Sequence, residues 1–140
     1  DESAQRVINL FGELVTVVAG QNAKGVSEAD VVTKPQIAKT ILTDDGMAEA
    51  LENKLIISIL AGVSICQLKE WVPTSTKIIR AMPNTPCMIQ EGMTVVSCPT
   101  NVNVDDRAFA MWVFSALGRV RVLDEKYLDT VTGLSGSGPA

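Results

Sequence analysis

The run Leu55-Ile56-Ile57-Ser58-Ile59-Leu60 constrains this chain more than any other segment. Its residues are almost all apolar, so they cannot alternate between core and solvent. A strand formed from them must be covered on both faces, as in a sheet flanked by helices. The charge-free stretch 55–68 is broken by Ser58, Gly62, Ser64 and Gln67. It falls short of the ~20 apolar residues that a spanning helix needs, so no membrane partner is expected.

Segments of helical period alternate with short β-branched runs along the rest of the chain. Ala4, Val7, Ile8, Leu10, Phe11 and Leu14 recur at helical spacing and predict a helix over 1–13. Residues 14–19 and 30–33 predict short strands. Pro35 opens a helical stretch to about residue 51, with a break expected at Asp44-Asp45-Gly46. Strands are expected over 54–60, 77–82, 93–98 and 119–123. Ser64 and Gln67 have the spacing of a capping box for a helix reaching Trp71. A further helix begins at Asp105 or Asp106, where Phe109, Trp112, Val113, Ala116 and Leu117 form an apolar stripe, and Gly118 ends it. A short helix over 124–131 leads to a glycine- and serine-rich end, read as a hinge. The alternation predicts an α/β fold, a doubly wound and mostly parallel sheet, with every strand-to-helix turn on one edge. Ligands of such sheets lie at the carboxyl ends of the strands.

Composition narrows the chemistry. The chain has 140 residues and a net charge of −4, with no basic excess to neutralise phosphates, so nucleic acid is not an expected partner. It contains no histidine, which excludes Ser-His-Asp and Cys-His catalysis from its own residues and His-containing zinc sites. Cys66, Cys87 and Cys98 have no metal-ligand spacing, so no metal is expected. They read as buried or half-buried reduced thiols of a cytoplasmic protein. The pairs Asp44-Asp45 and Asp105-Asp106 are neighbours in sequence, point apart on a helix, and read as caps or solvated faces.

Three strand ends could carry chemistry: Thr33-Lys34-Pro35-Gln36, Ala61-Gly62-Val63-Ser64 and Pro83-Asn84-Thr85-Pro86. Small residues and prolines there leave backbone groups and hydroxyls open to a flat or phosphorylated ligand. The same residues also serve simply to punctuate an α/β fold.

From residue 31 onward the sequence resembles the pyrroline-5-carboxylate reductase family. The resemblance rests on five ordered blocks: Lys34-Pro35-Gln36; Ser58-Ile59-Leu60-Ala61-Gly62-Val63; Arg80-Ala81-Met82-Pro83-Asn84-Thr85-Pro86; Glu91-Gly92-Met93-Thr94; and Val131-Thr132-Gly133-Leu134-Ser135-Gly136-Ser137-Gly138-Pro139-Ala140. It implies a partial Rossmann-type NAD(P)-binding domain over 1–132 and, over 133–140, the start of a helical dimerisation domain. It further implies reduction of 1-pyrroline-5-carboxylate to L-proline with NADPH or NADH, and a homo-oligomer. By resemblance Asn22, Thr33, Lys34, Pro35, Ala61 and Gly62 line the cofactor, and Pro83, Asn84 and Thr85 border the nicotinamide and the substrate. No individual catalytic side chain is implied.

The family's opening strand and G-x-G-x-x-G turn do not occur in these 140 residues, and the first residue is Asp rather than Met. The chain therefore reads as truncated at both ends and inactive by itself. The alternative class is a non-catalytic nucleotide-binding remnant. Another member of the same dehydrogenase superfamily is a weaker reading, because the block 133–140 would then be unexpected.

Overall fold

The structure is a computed structural model and describes residues 35–136. The expected helix 1–13, the strands at 14–19 and 30–33, and the terminal 137–140 lie outside the described residues.

Pro35 starts helix α1 (Pro35–Leu42), and the chain then breaks at Asp44-Asp45-Gly46 before α2 (Met47–Leu51), where the sequence places the interruption. Strand β1 (Leu55–Ser58) is buried at all four residues, as its apolar run requires. Helix α3 (Ile65–Trp71) opens with the predicted capping box. Strand β2 (Lys77–Met82) leads into a 3-10 turn over Thr85–Ile89, which the sequence reading does not anticipate. Strand β3 (Gly92–Ser97), helix α4 (Val104–Ser115) and strand β4 (Gly118–Val122) follow. A 3-10 turn (Glu125–Tyr127) then runs into α5 (Leu128–Val131) and a π-helical turn (Thr132–Gly136). Residues 132–136 continue the helical path, and the rest of the glycine- and serine-rich end lies outside the described residues.

The described strands lie in the order β1-β2-β3-β4. The β1–β2 and β3–β4 pairs are parallel, with Ile57 opposite Ile79 and Val95 opposite Arg121. The β2–β3 pair is antiparallel, with Ala81 opposite Val96. This reversal corrects the expectation that all strand-to-helix turns share one edge. The cause is length. A parallel crossover needs about a dozen residues or more, and the connection 83–91 is too short to carry the chain back to the starting edge. The longer connections containing α3 and α4 do carry it back. The carboxyl ends of β1 and β2 thus share an edge with the amino ends of β3 and β4.

Each sheet face has its own core. On one face Ile56 and Ile78 pack with Ala38, Leu42, Leu51 and Leu68 from the first three helices. On the other, Leu55, Ile57, Ile79, Ala81 and Val96 pack with Ala110, Val113 and Phe114 of α4. Helices on both faces make the arrangement doubly wound.

Helix α4 is rotated from the expected stripe. Phe109 is half-buried, Trp112 is 51% exposed and Ala116 is exposed, whereas Ala110, Val113 and Phe114 are buried. The first turn is fixed by two polar contacts. Asn103, rather than either aspartate, caps the helix, its Oδ1 accepting the Asp106 N–H at 2.7 Å. Asp106 instead pairs with Lys77 at the start of β2. Asp106, Ala110 and Val113 share the side of α4 that faces the sheet, and Trp112 stays outside it, its ring tilted against Phe109 with centroids 6.1 Å apart.

Gly118 ends the α4 connection at φ 139, and a Cβ there would fall onto the backbone of Gly92, its partner in the β3–β4 pair. Gly118→Ala is expected to destabilise the chain by about 2 kcal/mol in urea denaturation, from overpacking plus backbone strain. Loss of the α4 cap in Asn103→Ala is expected to cost about 1 kcal/mol in the same measurement.

Candidate functional site

Two of the three expected turns lie among the described residues, and they share one edge. The Ala61-Gly62 turn follows β1, the Pro83-Asn84-Thr85 turn follows β2, and these strands are adjacent and parallel. Asn22, Thr33 and Lys34 lie outside the described residues. Pro35 is the first residue of α1.

Local hydrogen bonds shape the first turn. Ser58 Oγ accepts the Leu60 N–H at 3.4 Å, and Val63 turns back into the core. Ala61 and Gly62 are exposed between them. Gly62 has φ 70 and nothing within 4 Å of where a Cβ would stand, so the backbone there faces open space. The capping box follows: Ser64 Oγ accepts the Gln67 N–H at 3.2 Å, and Gln67 Oε1 accepts the Ser64 N–H at 2.9 Å. The next amide, Ile65 N–H, donates to Glu125 Oε1 at 2.6 Å.

The second turn is braced from β3. Asn84 Oδ1 accepts the Met93 N–H at 2.9 Å, and Asn84 O accepts the Cys87 N–H at 3.0 Å. The Glu91 N–H returns to Pro86 O at 3.1 Å and closes the 3-10 turn. Pro83 and Asn84 are half-buried and Thr85 is exposed. Neither turn carries a carboxylate or a cation. Such an edge offers a ligand main-chain groups, an amide and a hydroxyl, and no charged side chain of its own.

The strongest polar feature beneath this edge is one the sequence reading did not single out. Arg80, in the middle of β2, has a side chain only 2% exposed. Its Nη2 donates to Asp129 Oδ1 at 2.7 Å and its Nη1 to Glu125 Oε1 at 3.4 Å. Its Nε is buried without a hydrogen-bond partner among the described residues. The available signal was a cation set inside the apolar run Ile78-Ile79-Arg80-Ala81-Met82, which buries a charge that needs partners.

An open cleft of about 780 Å³ runs along the carboxyl ends of β3 and β4, lined by Cys66, Lys69, Ser97, Cys98, Arg107 and Tyr127 among others. None of the predicted site residues lines it. Cys87 and Cys98 are half-buried as expected, but Cys66 is exposed because it lies on the outer side of α3. Burial pushes the Cys98 thiol above its ordinary pKa, and the nearby Arg107 charge offsets part of that rise. No group of three or more ligand-type side chains that could hold a metal occurs among the described residues. No described helix is long and apolar enough to cross a membrane.

A doubly wound sheet with small-residue turns at the carboxyl ends of parallel strands places this chain in the class of Rossmann-type α/β proteins. No family model matches the sequence. Similarity to known proteins is nonetheless extensive. The pyrroline-5-carboxylate reductase of Schizosaccharomyces pombe is 44% identical over 139 residues, covering 96% of this chain and 49% of the relative. That of Arabidopsis thaliana is 41% identical over 118 residues, covering 82% and 42%. The crystal structure of Plasmodium falciparum pyrroline carboxylate reductase with NADP bound superposes with a TM-score of 0.71 at 37% identity, covering 76% of this chain and 40% of that one. The reductase structure from Coxiella burnetii gives a TM-score of 0.70 at 30% identity, over 77% and 40%. The chain spans about half the length of the curated relatives it matches. It belongs to the pyrroline-5-carboxylate reductase family.

Two measurements check the site. Arg80→Ala should destabilise the chain by about 3 kcal/mol in urea denaturation, since it strips two carboxylates of their partner and opens a void. A loss within error of zero would show that the buried cation does not hold Glu125 and Asp129 in place. Thiolate is the reactive form of cysteine. Alkylation mapped by mass spectrometry should therefore modify exposed Cys66 before Cys98 at mildly alkaline pH. The folded chain holds the Cys98 proton more tightly than the unfolded chain does, so the contribution of that thiol to stability falls as pH rises past the ordinary thiol range.

Proposed function

We propose that this chain carries the dinucleotide-facing part of a pyrroline-5-carboxylate reductase, an enzyme that reduces 1-pyrroline-5-carboxylate to L-proline with NAD(P)H. The observation that carries this reading is the pair of open turns, Ala61-Gly62 and Pro83-Asn84-Thr85, on one carboxyl edge of adjacent parallel strands. The space over Gly62 suits the group: a flat ligand can reach the main chain where any side chain would stand in its way. Ala61 and Gly62, together with Asn22, Thr33, Lys34 and Pro35, are assigned to the cofactor. Pro83, Asn84 and Thr85 are assigned to the border between nicotinamide and substrate.

When bound, NAD(P)H supplies the hydride. The task of the protein is to hold two reactants face to face and to keep water away. Asn84 suits it because its carboxamide oxygen is already committed to Met93, so the turn is set before a ligand arrives. Pro83 restricts the backbone at the strand end. A protonated imine is electrophilic without a strong protein acid, in keeping with an edge that bears none. Residues 1–132 are assigned to the partial dinucleotide domain and 133–140 to the start of a helical dimerisation domain, in a homo-oligomeric cytoplasmic enzyme. The second reading, a non-catalytic nucleotide-binding module, is favoured for the 140 residues by themselves because they contain no G-x-G-x-x-G turn.

Titration of the whole chain with NADPH and, separately, NADH, followed by amide NMR, is expected to give saturable shifts at Gly62 and Asn84. Turnover of 1-pyrroline-5-carboxylate by these 140 residues is expected to be at background, as measured by loss of NADPH absorbance. Gly62→Val fills the open space over the turn and is expected to weaken NADPH binding about tenfold, a change worth about 1.4 kcal/mol. Absence of saturable shifts at both turns would end this reading of the edge.

A further inference from the structure

A single carboxylate oxygen links the helix that follows the first turn to the strand that precedes the second. Glu125 Oε1 accepts the Ile65 N–H at 2.6 Å and also Arg80 Nη1 at 3.4 Å. Ile65 opens α3 directly after the Gly62 turn, and Arg80 stands in β2 just before Pro83. The carboxylate comes from far along the chain, 60 residues from Ile65 and 45 from Arg80. The capping box already occupies the Ser64 and Gln67 amides, so Glu125 supplies what the box leaves out, an acceptor for Ile65. Asp129, one helical turn beyond Glu125, takes the other terminal nitrogen of Arg80 and steadies the guanidinium.

We propose that Glu125 is a positioning residue for the candidate cofactor edge, setting the spacing of the Gly62 turn against the Pro83–Thr85 turn; this rests on reading those turns as the cofactor edge. Among the described residues the helix after the first turn also meets β2 through apolar packing, and β1 meets β2 through their ladder. Apolar contacts are not directional, whereas a charged acceptor shared by two donors has one arrangement. A ligand that touches both turns requires their separation to be right before it binds, and errors of about 1 Å in such placement are felt strongly. Removing the carboxylate lets the first turn of α3 fray and the Gly62 backbone sample a wider range, so part of the binding free energy goes into reordering it.

The test uses the full chain and compares wild type with Glu125→Ala, Glu125→Gln and Asn103→Ala. The last variant loses a cap on the opposite sheet face and reports what lost stability alone does. Amide spectra are recorded without ligand and during NADPH titration. Without ligand, Glu125→Ala is expected to shift the Gly62 and Asn84 amides together and to speed hydrogen exchange at Ile65, while Asn103→Ala leaves all three unchanged. With ligand, Glu125→Ala is expected to raise the NADPH Kd about tenfold, a change of about 1.4 kcal/mol. Glu125→Gln keeps an acceptor for Ile65 and is expected to fall between that variant and wild type. Should Glu125→Ala fail to fold, the Glu125→Gln comparison decides. Unmoved Gly62 and Asn84 amides, or a wild-type Kd in the folded variant, would overturn the proposal. Failure of the wild-type chain to bind NADPH would remove the functional reading alone, and the ligand-free amide shifts would still decide whether Glu125 sets the two turns.

Discussion

A guanidinium enclosed in a sheet has to be neutralised where it stands. Arg80 cannot reach solvent, because its side chain is 2% exposed within the strand that passes between both apolar layers. The cost of an unpaired cation there outweighs the entropy of ordering the segment that answers it. Glu125 and Asp129 are drawn onto the sheet face, and the 3-10 turn and α5 come with them. Leu128, between the two carboxylates, is then fully buried. The path of the chain after β4 follows from a charge placed in β2.

The second constraint is the short connection after β2. It reverses β3, so the amino ends of β3 and β4 are brought to the edge where β1 and β2 end. The reversal is also what allows Met93 at the start of β3 to donate its N–H to Asn84. Gly118 and Gly92 pack backbone against backbone just behind that contact. The Pro83-Asn84-Thr85 turn is thereby held by the neighbouring strand rather than by its own proline content. On the neighbouring strand end, the Gly62 turn leaves its backbone facing open space.

Local patterns in the sequence were read correctly where one interaction dominates. The Ser64–Gln67 box, the break at Gly46, the buried run of β1 and the extent of β2 all depend on near neighbours, and the structure agrees with each. The misjudged features are of two kinds, a long-range pairing that sequence spacing does not show and local bonds that leave no periodic pattern. On α4, Asp106 pairs with Lys77, 29 residues away, a partner that apolar spacing cannot reveal. Asn103, which the sequence reading did not single out, caps α4, and Thr85–Ile89 closed into a 3-10 turn around backbone bonds that leave no periodic signature.

The amino-acid sequence by itself determined the α/β class, the positions of the four described strands and the two described small-residue turns, because each is written in hydrophobic period, capping chemistry and chain punctuation. It also carried the five blocks that mark the family. Only the tertiary structure decided that β3 runs backwards, that Trp112 faces outward and that Arg80, Glu125 and Ile65 meet at one oxygen. Those outcomes depend on closing loops of tens of residues and on neutralising a buried charge, and no window of neighbouring residues contains both partners.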